Sequence, residues 1–469
     1  MIEKKWIICF SSVVIIVCSF SIAQAGTIHP ELLSQLNKLS PEDEISVIVT
    51  LADQQNLGQI KNRNKRSRRA EINRALLVKA EKTQKPLKDF LIKKKAKRII
   101  PFWIFNGMAV TLRADQVDEL ANRPEVLSLL LDRTLSISPS YPALAGTPVW
   151  NLTAINAPAL WARGFTGTGV VIAGMDTGVD VGHPDLALQW RGGSNSWYDP
   201  QSEHATPHDS DGHGTQIMGI MVGGDAGGTS IGVAPGARWI AVKIYNDAGT
   251  TTDSAIHLGF QWLLDPDGDP DTDDAPDIVN NSWGYEKQVG VCVDTFQLDV
   301  QVLKTAGIAV VFSAGNGGPA SSTSVSPANY PESFGIGSVE ETLTVALSSS
   351  RGPSTCDGTL FPEIVAPGVN IRTADLTFGG VNPDPYASVS GTSFAAPHVA
   401  GAMALLLSAY PQLTVNELET SLALTAVDLG APGPDNDYGN GLLDVAAAYA
   451  SLHSFPWSVF VPALTGQVH

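Results

Sequence analysis

GVVIAGMD, residues 169–176, reads as a buried strand that closes on a carboxylate and is followed by Thr177-Gly178. Three stretches of the same texture follow: ARWIAVKIY (237–245), PDIVNNSWG (276–284) and IAVVFSAGN (308–316). Helical segments such as DSAIHLGFQWLL (253–264) and VQVLKTAG (300–307) lie between them. Apolar strands alternating with helices predict an α/β fold with a doubly wound, mostly parallel sheet flanked by helices. Such sheets bind ligands outside the carboxyl ends of their strands, so the chemistry is to be sought where these four runs end.

This texture begins near Asn151 of 469 residues, and what precedes it is built differently. EISVIVTL (44–51), IIPFWIF, MAVTLR and EVLSLLLD read as strands, ADQVDELANRP as a helix stopped by Pro124, and residues 69–98 as a basic helical stretch broken near Pro86. A small α+β unit ending near Ser136, with SPSYPALAGTP (138–148) as linker, is the expectation. Charge separates the two parts. Residues 26–140 carry 20 Lys and Arg against 13 Asp and Glu, a balance of +7, whereas residues 141–469 carry 8 against 33, a balance of −25. Oppositely charged units attract, and the acidic part is a poor partner for nucleic acid. The basic runs KNRNKRSRR (61–69) and KKKAKR (93–98) are read as a solvated helix face or a protease-sensitive loop.

The first 25 residues have Lys4 and Lys5, an apolar run to about Phe20 and then Ala23-Gln24-Ala25, the pattern of a cleaved export signal. The expectation is a secreted protein with no stable membrane span after signal removal. Cys292 and Cys356 then remain, as one disulfide or two free thiols; the spacing leaves both open.

The residues that can do chemistry fall at the strand ends or at the helices that follow. Asp176 ends GVVIAGMD; Asn316 follows IAVVFSAG; His213 opens the helical run in DSDGHGTQIMGIMVG; Ser393 opens the one in GTSFAAPHVAG (391–401). A hydroxyl becomes a nucleophile when a base takes its proton, and the base needs a partner that fixes its tautomer and stabilises the imidazolium. Ser393, His213 and Asp176 are residue types that fill those roles.

MDTGVDVGHPDL, DGHGTQIMGIMVG, NNSWG, SAGNGGP and GTSFAAPHVAG, in that order over residues 175–401, resemble the signature segments of the subtilisin-like serine peptidases, the subtilases. The chain order Asp, His, Ser is that of subtilisin. QWLLDPDGDPDTDDAPDIVNNSWG, SSRGPS and FPEIVAPGVN are most similar to the bacillopeptidase F-like branch. The resemblance implies a serine endopeptidase in which Ser393 is the nucleophile, His213 the general base and then acid, and Asp176 the orienting carboxylate. It also implies that the Asn316 amide completes an oxyanion hole with the Ser393 N–H, at a helix start that favours negative charge. Ser282, Trp283 and Gly284 match the strand that pairs with an extended substrate, and Gly315 and Gly317 another wall of the first specificity pocket. Residues 26–140 match an inhibitory propeptide that acts as an intramolecular chaperone, residues 141–450 the peptidase domain; 451–469 form a short tail with no assigned role. Protein or peptide substrates and the chain's own propeptide are the implied partners. No cofactor is required for the chemistry; structural calcium is common in the family.

Other residues receive plainer readings. The carboxylates of DPDGDPDTDDAPD (265–277) lack the full EF-hand spacing and are read as a solvated acidic loop ahead of a calcium site. His398 packs within the Ser393 helix, and His183 has no catalytic role. His204 and His208 are an i, i+4 pair without a third ligand. Gly228–Gly232 matches G-x-S-x-G but precedes a strand where that motif follows one, so it is a loop. Pro397 is placed in the first turn of its helix, where a missing N–H costs little. Two rival functions remain: a catalytically silent peptide-binding protein of the same fold, and a serine esterase, which needs no peptide-pairing strand.

Overall fold

Alternation along EISVIVTL sends Val47 and Val49 to one side of a sheet and Ile48 to the other, and the two sides meet different cores. The computed structural model describes residues 26–137, 141–142 and 150–454. The expected export signal, most of the linker and residues 455–469 lie outside the described residues. The front unit is a five-stranded sheet of β1 (Thr27–Ile28), β2 (Glu44–Leu51), β3 (Arg98–Phe102), β4 (Gly107–Arg113) and β5 (Val126–Leu131), in the order β1-β5-β2-β4-β3. One face closes on Leu32, Leu87, Leu91 and Leu120 as the unit's own core. The other face, with Ile72 and Leu76, shares a core with Ile256, Phe260 and Phe296 of the main domain.

The basic stretch is one helix, Lys65–Lys93, unbroken at Pro86. Pro86 and Lys82 are both exposed, so water can serve the Lys82 carbonyl that Pro86 cannot bond, while buried Leu87 and Leu91 hold the second half on the sheet. The start of this helix is only in part a solvated face: Arg66 and Ser67 are exposed, Lys65 and Arg68 half-buried. The Arg69 guanidinium is buried and donates to the carbonyls of Pro276 (2.7 Å), Ala275 (3.2 Å) and Ala306 (3.2 Å), with Asp273 at 3.3 Å. Lys65 reaches Asp277 at 2.5 Å and Arg74 pairs with Asp271. The acidic loop is therefore partly neutralised by the front unit.

Two short strands lead out of the front unit: β6 (Thr134–Ser136) and β7 (Tyr141–Pro142). The main domain carries β8 (Val171–Asp176), β9 (Trp197–Tyr198), β10 (Arg238–Lys243), β11 (Thr250–Thr252), β12 (Ile278–Asn281), β13 (Ala309–Ser313), β14 (Phe334–Val339), β15 (Ile364–Pro367), β16 (Ile371–Ala374) and β17 (Tyr386–Ser390). Seven of them form the expected parallel sheet, in the order β15-β14-β13-β12-β8-β10-β9. The order turns back beside β8, so the ends of β8, β12 and β13 open on one crevice. The helix Thr392–Ala409 crosses beneath the sheet; it is the one helix among the described residues long and apolar enough to span a membrane, and 89% of it is buried in the protein. Gly228–Gly232 lies in the loop before β10, and Cys292 is joined to Cys356 by a disulfide.

Replacing Arg69 by Ala leaves three buried carbonyls without their donor. Losing one side of a buried, hydrogen-bonded charged contact costs about 2–5 kcal/mol. Calorimetry of Arg69→Ala is expected to resolve an earlier transition for the front unit, absent from the parent protein; a single transition at the parent temperature would count against this account of the docking.

Candidate active site

Strand β8 delivers Asp176 to the crevice, and the turn after it is closed by Thr177, whose Oγ1 accepts the Gly214 N–H at 2.8 Å. That contact seats the first turn of the helix His213–Val222 against the strand end. His213 Nδ1 lies 2.8 Å from Asp176 Oδ1, with both side chains buried. Asp176 Oδ1 also accepts the Thr177 N–H at 2.7 Å. The turn into the helix is built by Asp209, which accepts from the N–H groups of Asp211, Gly212 and Thr215 and from the Thr215 hydroxyl. Burial alone would depress the His213 imidazole; the charge and hydrogen bond of Asp176, with Asp211 and Asp209 behind it, outweigh burial and hold it above its ordinary value.

The helix Thr392–Ala409 brings Ser393 in as its second residue, and Phe394 packs against the His213 ring at 5.5 Å between centroids. Pro397 sits in the second turn rather than the first. It would have bonded the Ser393 carbonyl, and that oxygen instead accepts the Ser282 hydroxyl at 2.7 Å, itself held by Asn280 Nδ2 at 2.9 Å. In return the Ser393 hydroxyl donates to the Ser282 carbonyl at 3.2 Å. Ser282 is thus fixed to Ser393 by two hydrogen bonds.

Asn316 follows β13, and its Oδ1 accepts both the N–H (3.0 Å) and the hydroxyl (3.1 Å) of Thr392. Two donors on the oxygen set the amide's orientation and leave Nδ2 facing the crevice, where it donates to Glu286 Oε1 at 3.2 Å. The Ser393 N–H belongs to the first turn of the helix and has no acceptor within it. Gly315 adopts φ 99°, and a Cβ there would lie 2.6 Å from Val325. Gly317 N donates to Ser350 Oγ at 3.0 Å. The Trp283 side chain points away from the crevice, into the core among Phe260, Phe296 and Phe312.

The front unit's exit segment runs along this crevice. β6 pairs antiparallel with β11, Leu135 opposite Thr251, and the Ile137 N–H donates to the Gly249 carbonyl at 2.9 Å. β7 pairs with β17 so that Tyr141 lies opposite Ser390, three residues before Ser393. Arg133, just ahead of β6, is buried against Glu31 (2.5 Å) and Asp253 (3.4 Å).

Several plainer readings are now explicit. His398 is buried, with Nε2 2.8 Å from Asn151 Nδ2 and Nδ1 2.8 Å from the Phe394 carbonyl, and burial pushes it down to about 4. His183 Nε2 lies 2.9 Å from the Pro385 carbonyl. Sequence reasoning missed Glu286, Thr392 and Lys243. Thr392 was adjacent to Ser393 in the quoted motif. Lys243 is wholly buried with Nζ donating to the Thr177 carbonyl at 2.9 Å, and nothing but its place at the end of ARWIAVK pointed to the site. For a hard cation, Asp265, Asp267 and Asp274 place ligand oxygens within 4.8 Å of one another. Burial and mutual repulsion raise Asp265 to about 6, a cost that a cation there would relieve.

The subtilase family model matches residues 167–441, more than half of the chain. Bacillopeptidase F of Bacillus subtilis (strain 168) is 35% identical over 88% of the chain and 31% of the relative, so the chain spans about a third of that protein's length. Subtilisin E of the same organism is 34% identical over 77% of the chain and 85% of the relative. Subtilisin DY of Bacillus licheniformis is 33% identical over 65% and 99% respectively.

A His213 imidazole held up by carboxylates should titrate above 6.5 in the intact chain, followed by its ring resonances in NMR. Asp211→Asn keeps an oxygen for the His213 N–H but removes a negative charge, so it should move the titration downward; an unchanged or upward-moving titration would refute the assignment of causes.

Proposed function

The chain belongs to the subtilase family, and we propose that it is a secreted serine endopeptidase made as a self-processing precursor, with residues 26–140 as its inhibitory propeptide. The observation that carries this reading is the buried 2.8 Å contact of His213 with Asp176, set against the helix whose first turn holds Ser393 and is tied to Asn316. In the attacking geometry Ser393 Oγ turns from the Ser282 carbonyl to His213 Nε2. It loses its proton to that nitrogen and adds to the scissile carbonyl carbon. Asp176 keeps the other ring nitrogen protonated and stabilises the imidazolium. The oxyanion is met by the Ser393 N–H and by Asn316 Nδ2, which leaves Glu286 for it. His213 then gives its proton to the departing amine, and water enters by the same route to release the acyl group.

Strand addition supplies the substrate's hold. β6 lies on β11 as an extended peptide would, and this reading gives the other side of such a peptide to Ser282, Trp283 and Gly284. Because Trp283 is turned into the core, its contribution to binding is that of its main chain, while Gly284, Gly315 and Gly317 leave room beside it. An exit segment seated on the substrate strand supports inhibition by the front unit. A peptide-pairing edge favours a peptidase over an esterase, and filled positions 176, 213, 316 and 393 favour turnover over a silent binding protein. A structural calcium ion would take its oxygens from Asp265, Asp267 and Asp274. Export rests on the Lys4-Lys5, apolar and Ala-Gln-Ala pattern of residues 1–25.

The test is intact mass of the refolded precursor over time, beside Ser393→Ala and Asn316→Ala. The parent is expected to shed a front fragment ending close to residue 140, Ser393→Ala to stay whole, and Asn316→Ala to process with a rate lower by about 10²–10³-fold, the size known for this kind of amide in subtilisin. Cleavage of Ser393→Ala at the parent rate would refute self-processing. A parent that processes itself and then hydrolyses simple esters but no denatured protein would favour the esterase.

A further inference from the structure

His204 and His208 lack a third ligand in the sequence, and the fold supplies one from a loop about 40 residues further on. The ligating atoms of His204, His208 and Asp247 all lie within 4.8 Å of one another, with the two imidazole rings stacked 3.9 Å apart. His204 Nε2 is 2.9 Å from Asp247 Oδ2. We propose that His204, His208 and Asp247 form a binding site for a divalent transition-metal ion of the zinc class at the rim of the substrate crevice.

Donor chemistry decides the class of ion. Two imidazole nitrogens and one carboxylate oxygen suit zinc, whereas calcium takes six or more oxygens. Tetrahedral zinc with bonds of about 2.0–2.1 Å keeps its donors about 3.3 Å apart, so the ligating atoms have to draw together and the two stacked rings have to turn toward one another, as the exposed His208 and half-buried His204 have room to do. Asp247 is presented with one oxygen already engaged: Oδ1 accepts the Ser210 hydroxyl at 2.9 Å and lies 3.2 Å from Lys243 Nζ, which leaves Oδ2 toward the two histidines. Such outer contacts fix a ligand's orientation. The Lys243 charge opposes a cation, and Glu203, whose carboxylate accepts the Asp247 N–H at 2.9 Å, offsets it.

The backbone that carries His204 is held before any ion arrives. Asp199 accepts the N–H groups of Gln201, Ser202, Glu203 and His204, and Trp197 Nε1 donates to the His204 carbonyl at 2.9 Å. His208 and Asp247 are exposed, so an ion has an open approach and water can take the fourth position. The ion would join two loops that both lead into the crevice. His208 precedes Asp209, which builds the turn into the His213 helix, and Asp247 lies three residues before β11. The bound metal fastens the rim of the substrate crevice.

Calorimetric titration of the full chain carrying Ser393→Ala with ZnCl2 tests this, with CoCl2 as a spectroscopic stand-in. Expected are one Zn2+ per chain, a tetrahedral-type visible spectrum with Co2+, and no displacement by equimolar Ca2+. Adding His208→Ala should weaken Zn2+ binding by at least about 10-fold and abolish the metal-induced rise in melting temperature, while Asp274→Asn leaves both unchanged. His208 is exposed, so the metal-free melting temperature of its variant should equal the parent's. No Zn2+ uptake, uptake unaltered by His208→Ala, or displacement by Ca2+ would each overturn the proposal.

Discussion

The carbonyl of Ser393 has no helical partner because Pro397 carries no N–H, and the Ser282 hydroxyl takes that place. An unserved buried carbonyl costs about 1–3 kcal/mol, so this hydrogen bond is a constraint on where the helix can sit. It pins the start of Thr392–Ala409 to the end of β12, and Asn316, bonded twice to Thr392, pins it to the end of β13. The third strand end, β8, meets the helix through His213 and Phe394. Two strand ends thus meet the helix start through hydrogen bonds and the third through ring packing on His213, which holds the side chains around the crevice to a fixed geometry.

The front unit completes the crevice by two kinds of contact. Apolar residues from its sheet enter a core shared with the main domain, while Lys65, Arg69 and Arg74 take up part of the acidic loop's charge. Burying Arg69 against three carbonyls gives this contact direction as well as attraction. The same unit then sends β6 along β11, so docking and the pairing of its exit segment are parts of one surface. Its net positive charge and the main domain's negative charge have their counterpart in these named pairs.

Much of this is legible in the sequence. Apolar runs interleaved with helices give the parallel sheet, and Asp176, His213, Asn316 and Ser393 stand at strand ends and helix starts. What was not legible depended on partners distant in the chain. Pro86 reads as a breaker until its exposed place one turn after exposed Lys82 is seen, and the burial of Arg69 within the otherwise largely solvated run 61–69 is visible only with residues 273–277 beside it. The family resemblance places Trp283 on the substrate-pairing strand but does not say which way its side chain turns, and the core takes it. Glu286 and Asp247 carry no local signature and Lys243 only its place at a strand end; their relevance exists where separate segments meet. Whether Cys292 and Cys356 were joined was undecidable from spacing and is settled by their proximity.

In the proposed mechanism His213 and Asp176 make Ser393 a nucleophile. The most direct measurement is peptide-level mass spectrometry of the chain, freed of its front unit, after reaction with a small phosphonofluoridate. A single phosphonyl adduct on Ser393, formed with loss of fluoride and lost in His213→Ala, is expected. An adduct on another residue, or equal labelling of Ser393 without His213, would contradict it.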